Sequence, residues 1–127
     1  MSGRRLISSG APWEPVFGYS RAVRVGNQVF VAGTVGRNPD GSVPSGVYAQ
    51  ARRALEIVGE ALAEAGAGFE HVVRTRIFVT DIAFFDDVAR AHGEVFASIR
   101  PASSLVEVRR LVEPEYVLEI EADAVIQ

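Results

Sequence analysis

Residues 100–125 read RPASSLVEVRRLVEPEYVLEIEADAV and contain two predicted strands separated by a loop. Pro101 cannot continue a preceding helix, so we predict strands over 102–108 and 116–126. In the second strand apolar and acidic residues alternate, and successive side chains of a strand point to opposite faces of its sheet. One face is therefore suited to pack under helices, while the other carries Glu119, Glu121 and Asp123.

This acidic face has two interpretations. Three carboxylates at two-residue spacing repel one another and cannot be buried without partners. Either the face is open to water, or cations and a neighbouring subunit cover it. Val117 and Val125 lie among the carboxylates and favour partial burial in an oligomer, where carboxylate pKa values shift. Arg74 and Arg76 share one face of a predicted strand over 71–80 and are candidate cations for this role.

The N-terminal half begins with strands. Residues 21–25 and 28–35 have the composition of two strands, and the Gly-Asn pair between them is a hairpin turn signal. Gly33 interrupts the second strand, which indicates either a bulge or a place where another backbone or a ligand comes close. We predict a further strand over 5–8.

Two amphipathic helices complete the pattern. Apolar residues recur at three- and four-residue steps between Ser45, a predicted N-cap, and residue 65. A second helix begins after Asp81, and His92 lies on its inward face. The element order β-β-β-α-β-α-β-β predicts an α+β fold in which two helices pack on one face of a mixed β-sheet.

Length and composition restrict the class of protein. The 127 residues suffice for one domain, so we predict a single domain over residues 1–127. The net charge of −3 gives no electrostatic basis for broad binding to nucleic acid, and the absence of cysteine excludes disulfides and thiolate metal sites. The first ten residues lack the apolar stretch of a signal peptide, and no apolar run could span a membrane. We therefore expect a cytoplasmic protein.

Several motifs together resemble the RidA/YjgF family of enamine/imine deaminases. Pro101-Ala-Ser-Ser, the following Val-Glu-Val and the final apolar-Glu-apolar-Glu-Ala strand are similar to that family's C-terminal signature. Earlier in the chain, Tyr19 stands where the family has a ligand-side tyrosine, and Val31-Ala-Gly33 resembles its Ser-Gly strand segment. The resemblance extends to the first helix and to the corner at Phe78-Val-Thr-Asp81, so it covers most of the chain.

The resemblance implies a fold, an assembly and an activity. The fold would be chorismate-mutase-like, in a homotrimer whose sheets form a central barrel with the helices outside and small-molecule sites in clefts between subunits. Active members hydrolyse enamines or imines to 2-keto acids and ammonia without a metal or cofactor. By resemblance Glu119 is the catalytic residue that positions water, and Tyr19, Ala32 and Gly33 line the substrate-binding cleft.

One departure from the family bears on the substrate. The arginine that grips the substrate carboxylate in active members is replaced by Ser103, which we place among the substrate-binding residues. A guanidinium grips a carboxylate through two hydrogen bonds, whereas serine offers one neutral hydroxyl. We expect weak or absent deamination of amino-acid imines. Arg76 is the candidate replacement cation, although it has the alternative role of neutralising the glutamates. The family's helix asparagine falls on Ala89.

Other functions remain open at this stage. Fold does not dictate function, so the chain could instead be a non-catalytic ligand sensor or a protein-binding trimer. An endoribonuclease or translation-inhibitor role is less favoured, because RNA cleavage requires a basic surface or an acid/base pair at a phosphate. The histidine His92 has a pKa suited to proton transfer, yet a histidine at the edge of the core is the simpler interpretation.

Overall fold

The structure is a computed structural model that describes residues 3–127. Two helices and six strands form its framework, joined by three short helical turns. The strands are β1 Arg4–Ile7, β2 Ala22–Val25, β3 Gln28–Thr34, β4 Val72–Val79, β5 Ala102–Glu107 and β6 Leu118–Val125. The helices are α1 Val47–Glu64 and α2 Phe85–Phe96, and the turns are a π-helical turn Glu14–Gly18 and 3₁₀ turns Phe69–His71 and Ile82–Phe84.

The six strands form one mixed sheet in the order β1-β2-β3-β6-β4-β5. All neighbouring pairs are antiparallel except β4 and β5, which are parallel. The hydrophobic core lies between one face of this sheet and the two helices, and its largest fully buried side chains include Leu55, Leu62, Leu118 and Ile120. The predicted α+β class, with two helices on one face of a mixed sheet, is confirmed. No helix in residues 3–127 combines the length and apolar character needed to cross a membrane.

Helix α1 follows its predicted apolar stripe, but its start was wrongly predicted. Ala51, Leu55, Val58 and Leu62 are all buried against the sheet. The residue before the helix is Gly46 rather than Ser45, it has φ of 95°, and no side chain caps the first turn. The left-handed φ favours glycine at this position, so the backbone requirement decides where the helix begins.

Helix α2 buries only some of its apolar residues. Val88, Ala91 and Phe96 are buried, whereas Phe85 and Ala89 are exposed. Asp81, the predicted start of this helix, accepts a hydrogen bond from the Ala83 N–H and so caps the 3₁₀ turn Ile82–Phe84, whereas α2 begins after Phe84 without a side-chain cap.

A buried glutamine connects α1 to the loop that precedes β6. Gln50 is 4% exposed; its amide donates to the Glu115 carbonyl at 2.9 Å and accepts from the Val117 N–H at 3.0 Å. These two bonds pair backbone groups of the loop that delivers β6 to the centre of the sheet. Pairing of this kind fixes the start of the strand that carries Glu119.

We expect Gln50→Leu to destabilise the fold by about 1–3 kcal/mol, because it leaves the backbone partners of the amide unsatisfied. The measurement is the free energy of unfolding in urea. Gln28→Leu is the matched control, since Gln28 is exposed at the start of β3 and its side chain has no described partner. Equal midpoints for the two variants would contradict the structural role of Gln50.

Candidate active site

The face of the sheet that the helices do not cover, here called the open face, carries the acidic residues of β6. Leu118, Ile120 and Ala122 are fully buried on the helix side, so the predicted alternation is confirmed. Two of the carboxylates have a cation: Arg76 lies 3.2 Å from Glu121 and 3.2 Å from Asp123. Arg76 is therefore bound to these two neighbours within one chain, and none of its described ion pairs is with Glu119.

Glu119 lies apart from this ion-pair cluster and has an unusual setting. Its carboxylate is half-buried and forms no hydrogen bond with any residue in the described range 3–127. Burial raises the pKa of Glu119, the neighbouring Arg21 guanidinium opposes that rise, and Glu121 adds to it. A carboxyl group with a raised pKa and free lone pairs is suited to accept a proton from a bound water.

Gly33 provides the space for this carboxylate. A Cβ atom at Gly33 would lie 2.8 Å from Glu119 Cδ and closer still to Oε2, so any other residue here would displace the acid. The register of β3 on β6 shifts between Val31 and Thr34, which identifies a bulge around the glycine. The predicted bulge at Gly33 is confirmed, whereas the group that approaches the glycine is the Glu119 side chain rather than another backbone or a ligand.

Sequence reasoning missed Arg21, which lies between Tyr19 and Glu119. Its Nη2 donates a hydrogen bond to the Gly33 carbonyl, and its guanidinium lies 5.9 Å from the centre of the Tyr19 ring. Burial lowers the pKa of Arg21, and its Nε is buried without a hydrogen-bond partner in the described part of the chain. The available signal was spacing, because an extended chain places residues 19 and 21 on the same side.

Tyr19 and Ala32 line an open depression of about 610 Å³ beside this cluster. Its wall includes Glu14, which is 7% exposed and accepts hydrogen bonds from the Ser8 and Ser9 hydroxyls. Phe30 adds apolar surface. Gly33 and Glu119 are not part of this lining, so the depression adjoins the carboxylate without containing it. The combination of apolar wall and a few polar groups is typical of a small-molecule site.

Ser103 lies elsewhere in the same chain. It pairs with Thr75 in the register of β4 and β5, and Thr75 is fully buried on the helix side of the sheet. The Ser103 hydroxyl is therefore directed away from the open face, where Glu119 lies opposite Phe78. One chain thus brings together Tyr19, Gly33 and Glu119 but not Ser103. A cleft that contains both groups requires a second subunit.

The fold and this arrangement define a class: a small α+β protein whose sheet carries a half-buried carboxylate beside a guanidinium and a tyrosine, next to a ligand-sized depression. A family model described as Endoribonuclease L-PSP matches residues 9–126. The chain belongs to this family, and the resemblance to RidA/YjgF proteins is confirmed.

Known structures and relatives agree with this assignment. The crystal structure of Rv2704 from Mycobacterium tuberculosis, a member of the YjgF/YER057c/UK114 family, has a TM-score of 0.90 at 46% identity and covers 97% of this chain and 99% of that one. The 2-iminobutanoate/2-iminopropanoate deaminase of Rattus norvegicus is 35% identical over 124 residues, which are 96% of this chain and 90% of the relative. Escherichia coli TdcF with bound serine has a TM-score of 0.82 at 30% identity, with 97% and 94% covered.

Proposed function

We propose that the protein is a cofactor-independent hydrolase of an enamine, imine or related C=N compound, acting in clefts between the subunits of a homotrimer. The observation that carries this proposal is Glu119, whose carboxylate is half-buried, raised in pKa and without a hydrogen-bond partner in the described chain. Such a group positions a water molecule for attack on a C=N carbon. Relatives named as 2-iminobutanoate/2-iminopropanoate deaminases support the reaction class.

The proposed assembly follows from the surfaces that one chain leaves uncovered. Strand β5 is an edge strand, most of its residues are exposed, and Val106 is 47% exposed. The open face also exposes Leu6 and Phe30, at 59% and 42%. An uncovered edge and apolar surface of this kind are typical of a subunit interface. The trimer would bring Ser103 of one subunit towards Glu119 of the next, and we place the protein in the cytoplasm.

The proposed substrate differs from that of relatives with an arginine at position 103. Ser103 supplies one neutral hydroxyl, and Arg76 is bound to Glu121 and Asp123. Neither provides a free bidentate grip on a carboxylate. We therefore propose that a C=N compound without an α-carboxylate is hydrolysed in preference to an amino-acid imine. The net charge of −3 does not favour an RNA substrate, despite the family's description.

The test compares two imines formed in situ, 2-iminobutyrate from an amino-acid oxidase and a carboxylate-free imine from an amine oxidase. We expect the wild-type protein to accelerate release of ammonia from the second imine more than from the first. Ser103→Arg should raise the ratio of kcat/KM for 2-iminobutyrate to kcat/KM for the carboxylate-free imine by about 10- to 100-fold, the effect of regained charge-assisted hydrogen bonds to the carboxylate.

Each outcome of this comparison is informative. Fast hydrolysis of 2-iminobutyrate by the wild-type protein would overturn the proposed preference. Acceleration of neither imine would overturn the hydrolase proposal and favour a ligand sensor on the same scaffold. Chromatography with light scattering checks the assembly, and a monomer at working concentration would remove the cleft that both readings require.

A further inference from the structure

A second polar feature lies on the helix side of the sheet, where Thr75 and His92 connect to Ser103. Thr75 of β4 is 0% exposed, and its hydroxyl donates a hydrogen bond to Ser103 Oγ at 2.7 Å. The same Thr75 oxygen lies 2.9 Å from His92 Nε2 of α2. The three side chains therefore form one hydrogen-bonded chain that begins at a half-buried imidazole and ends at an exposed serine.

A relay that ends at Ser103 requires all donors of these three side chains to point the same way, and the valence of each group permits this. A hydroxyl has one hydrogen to donate, and that of Thr75 is directed at Ser103. With the Thr75 hydrogen directed at Ser103, the imidazole donates its Nε2–H to the Thr75 lone pair. The Ser103 hydrogen then remains available for an acceptor other than these three side chains. In this arrangement every donor points from His92 towards Ser103, which the proposed trimer would bring towards Glu119 of the next subunit.

The surroundings of His92 allow it to lose and regain a proton. Its ring lines a depression of about 360 Å³ at the end of α2 and lies 4.6 Å from the Phe96 ring. The partners on the adjacent strands, Thr75 and Ser103, are neutral, and Arg100 is the charged side chain in the lining of the depression. Burial lowers the pKa of His92, so its imidazolium is a stronger acid than that of an exposed histidine.

We propose that His92, Thr75 and Ser103 form a proton relay that delivers a proton to the departing nitrogen of the substrate in the intersubunit cleft. This inference rests on the proposed function, because it assigns a role within that reaction. It also gives position 103 a task different from carboxylate binding. Ser103 is the catalytic residue of the relay, whereas Thr75 and His92 act through it.

Addition of water to the C=N bond forms a carbinolamine, which then breaks down. The C–N bond breaks and its electron pair leaves with the nitrogen, which takes a proton from Ser103. Ser103 takes the proton of Thr75, and Thr75 takes the Nε2 proton of the His92 imidazolium. The carbinolamine hydroxyl gives its proton to the Glu119 carboxylate of the neighbouring subunit as the carbonyl forms. Ammonia and a carbonyl compound leave, Glu119 releases its proton to solvent, and His92 is reprotonated from solvent.

The decisive comparison is Thr75→Val against Thr75→Ser, measured on the imine that the wild-type protein hydrolyses fastest. Valine has nearly the same shape and no hydroxyl, so we expect kcat to fall about 100-fold, within the range of general acid catalysis. Serine restores the hydroxyl and should recover most of the loss. Ser98→Ala, an exposed position near the end of α2, is the matched control.

His92→Gln separates the relay from a purely structural hydrogen bond. Glutamine can donate to the Thr75 hydroxyl but cannot give up its proton. We expect a loss of kcat similar to that of Thr75→Val, little change in KM, and no further loss in the double variant. The wild-type kcat should also decline as the pH rises through the His92 pKa, and this dependence should vanish in His92→Gln.

Several results would overturn the relay. Full activity of Thr75→Val in a protein whose melting temperature is unchanged would do so. Full activity of His92→Gln would do so as well. Either result with an active wild-type protein leaves the proposed hydrolase standing. An inactive wild-type protein overturns both proposals. If Thr75→Val does not fold, Ser103→Ala tests the same link, because its exposed side chain is outside the core.

Discussion

Glu119→Gln is expected to lower the rate of imine hydrolysis by about 100- to 10,000-fold, the usual contribution of a positioned acid/base group. Glutamine keeps the shape and polarity of the side chain but cannot accept a proton from water. The carboxylate has no hydrogen-bond partner among residues 3–127, so the substitution breaks no described bond. Stability should therefore be retained while kcat falls, measured by thermal melting and by ammonia release.

The pH dependence of the wild-type protein provides an independent check. Burial raises the pKa of Glu119 above the ordinary value of 4.5. The carboxylate form is the active one, so kcat/KM should decline as the pH falls through the raised pKa, at a higher pH than for an exposed glutamate. In Glu119→Gln the residual rate should lose this acidic limb.

Glu60→Gln is the matched control for the same chemical change. Glu60 is exposed on α1, and its only described ion pair is with Arg53 at 3.7 Å. We expect wild-type kinetics for this variant. A Glu119→Gln protein that retained wild-type kcat would show that the acid is not part of the chemistry, and a ligand-sensor role would then be the better explanation.

The sheet could be predicted from the sequence because its strongest signals are periodic. The alternation of β6 placed Glu119 and Leu118 on opposite faces, and the structure has the same arrangement. Alternation fails at β4, where the register shifts between Val72 and Arg74. Val72 is consequently 3% exposed in the core, although strict alternation assigns it to the same face as Arg74 and Arg76. A bulge depends on the partner strand, which no local pattern contains.

The candidate site was harder to predict, because its contacts join residues distant in sequence. Arg21 interacts with Gly33 and Glu119, and nothing near position 21 reveals that β3 and β6 bring these residues together. The hydrogen bonds that connect Ser103, Thr75 and His92 were missed for the same reason. Parallel pairing of β4 and β5 places Thr75 beside Ser103, and α2 then brings His92 to the other side of Thr75. Only the tertiary arrangement reveals these neighbours.

Gly33→Ala is expected to reduce turnover by about 100-fold or more while changing stability little, because small displacements of a catalytic group carry large rate penalties. The new Cβ would overlap the Glu119 carboxylate, which lies at the end of a flexible side chain and can rotate away. The fold therefore accommodates the methyl group, but the acid leaves its position beside Arg21. The measurement pairs kcat with the free energy of unfolding in urea.

Two other glycines show why this result would be specific to Gly33. Gly93→Ala adds a methyl group to α2 where no atom beyond the adjacent residues and the local helix backbone lies within 4 Å, so activity and stability should both be maintained. Gly36→Ala places a Cβ 2.9 Å from the Gln50 Cα, and backbone cannot rotate away, so stability should fall. If Gly33→Ala lost stability as Gly36→Ala does, the glycine would serve the fold. If it kept both stability and full turnover, the carboxylate would not need its present position, and the proposed mechanism would be wrong.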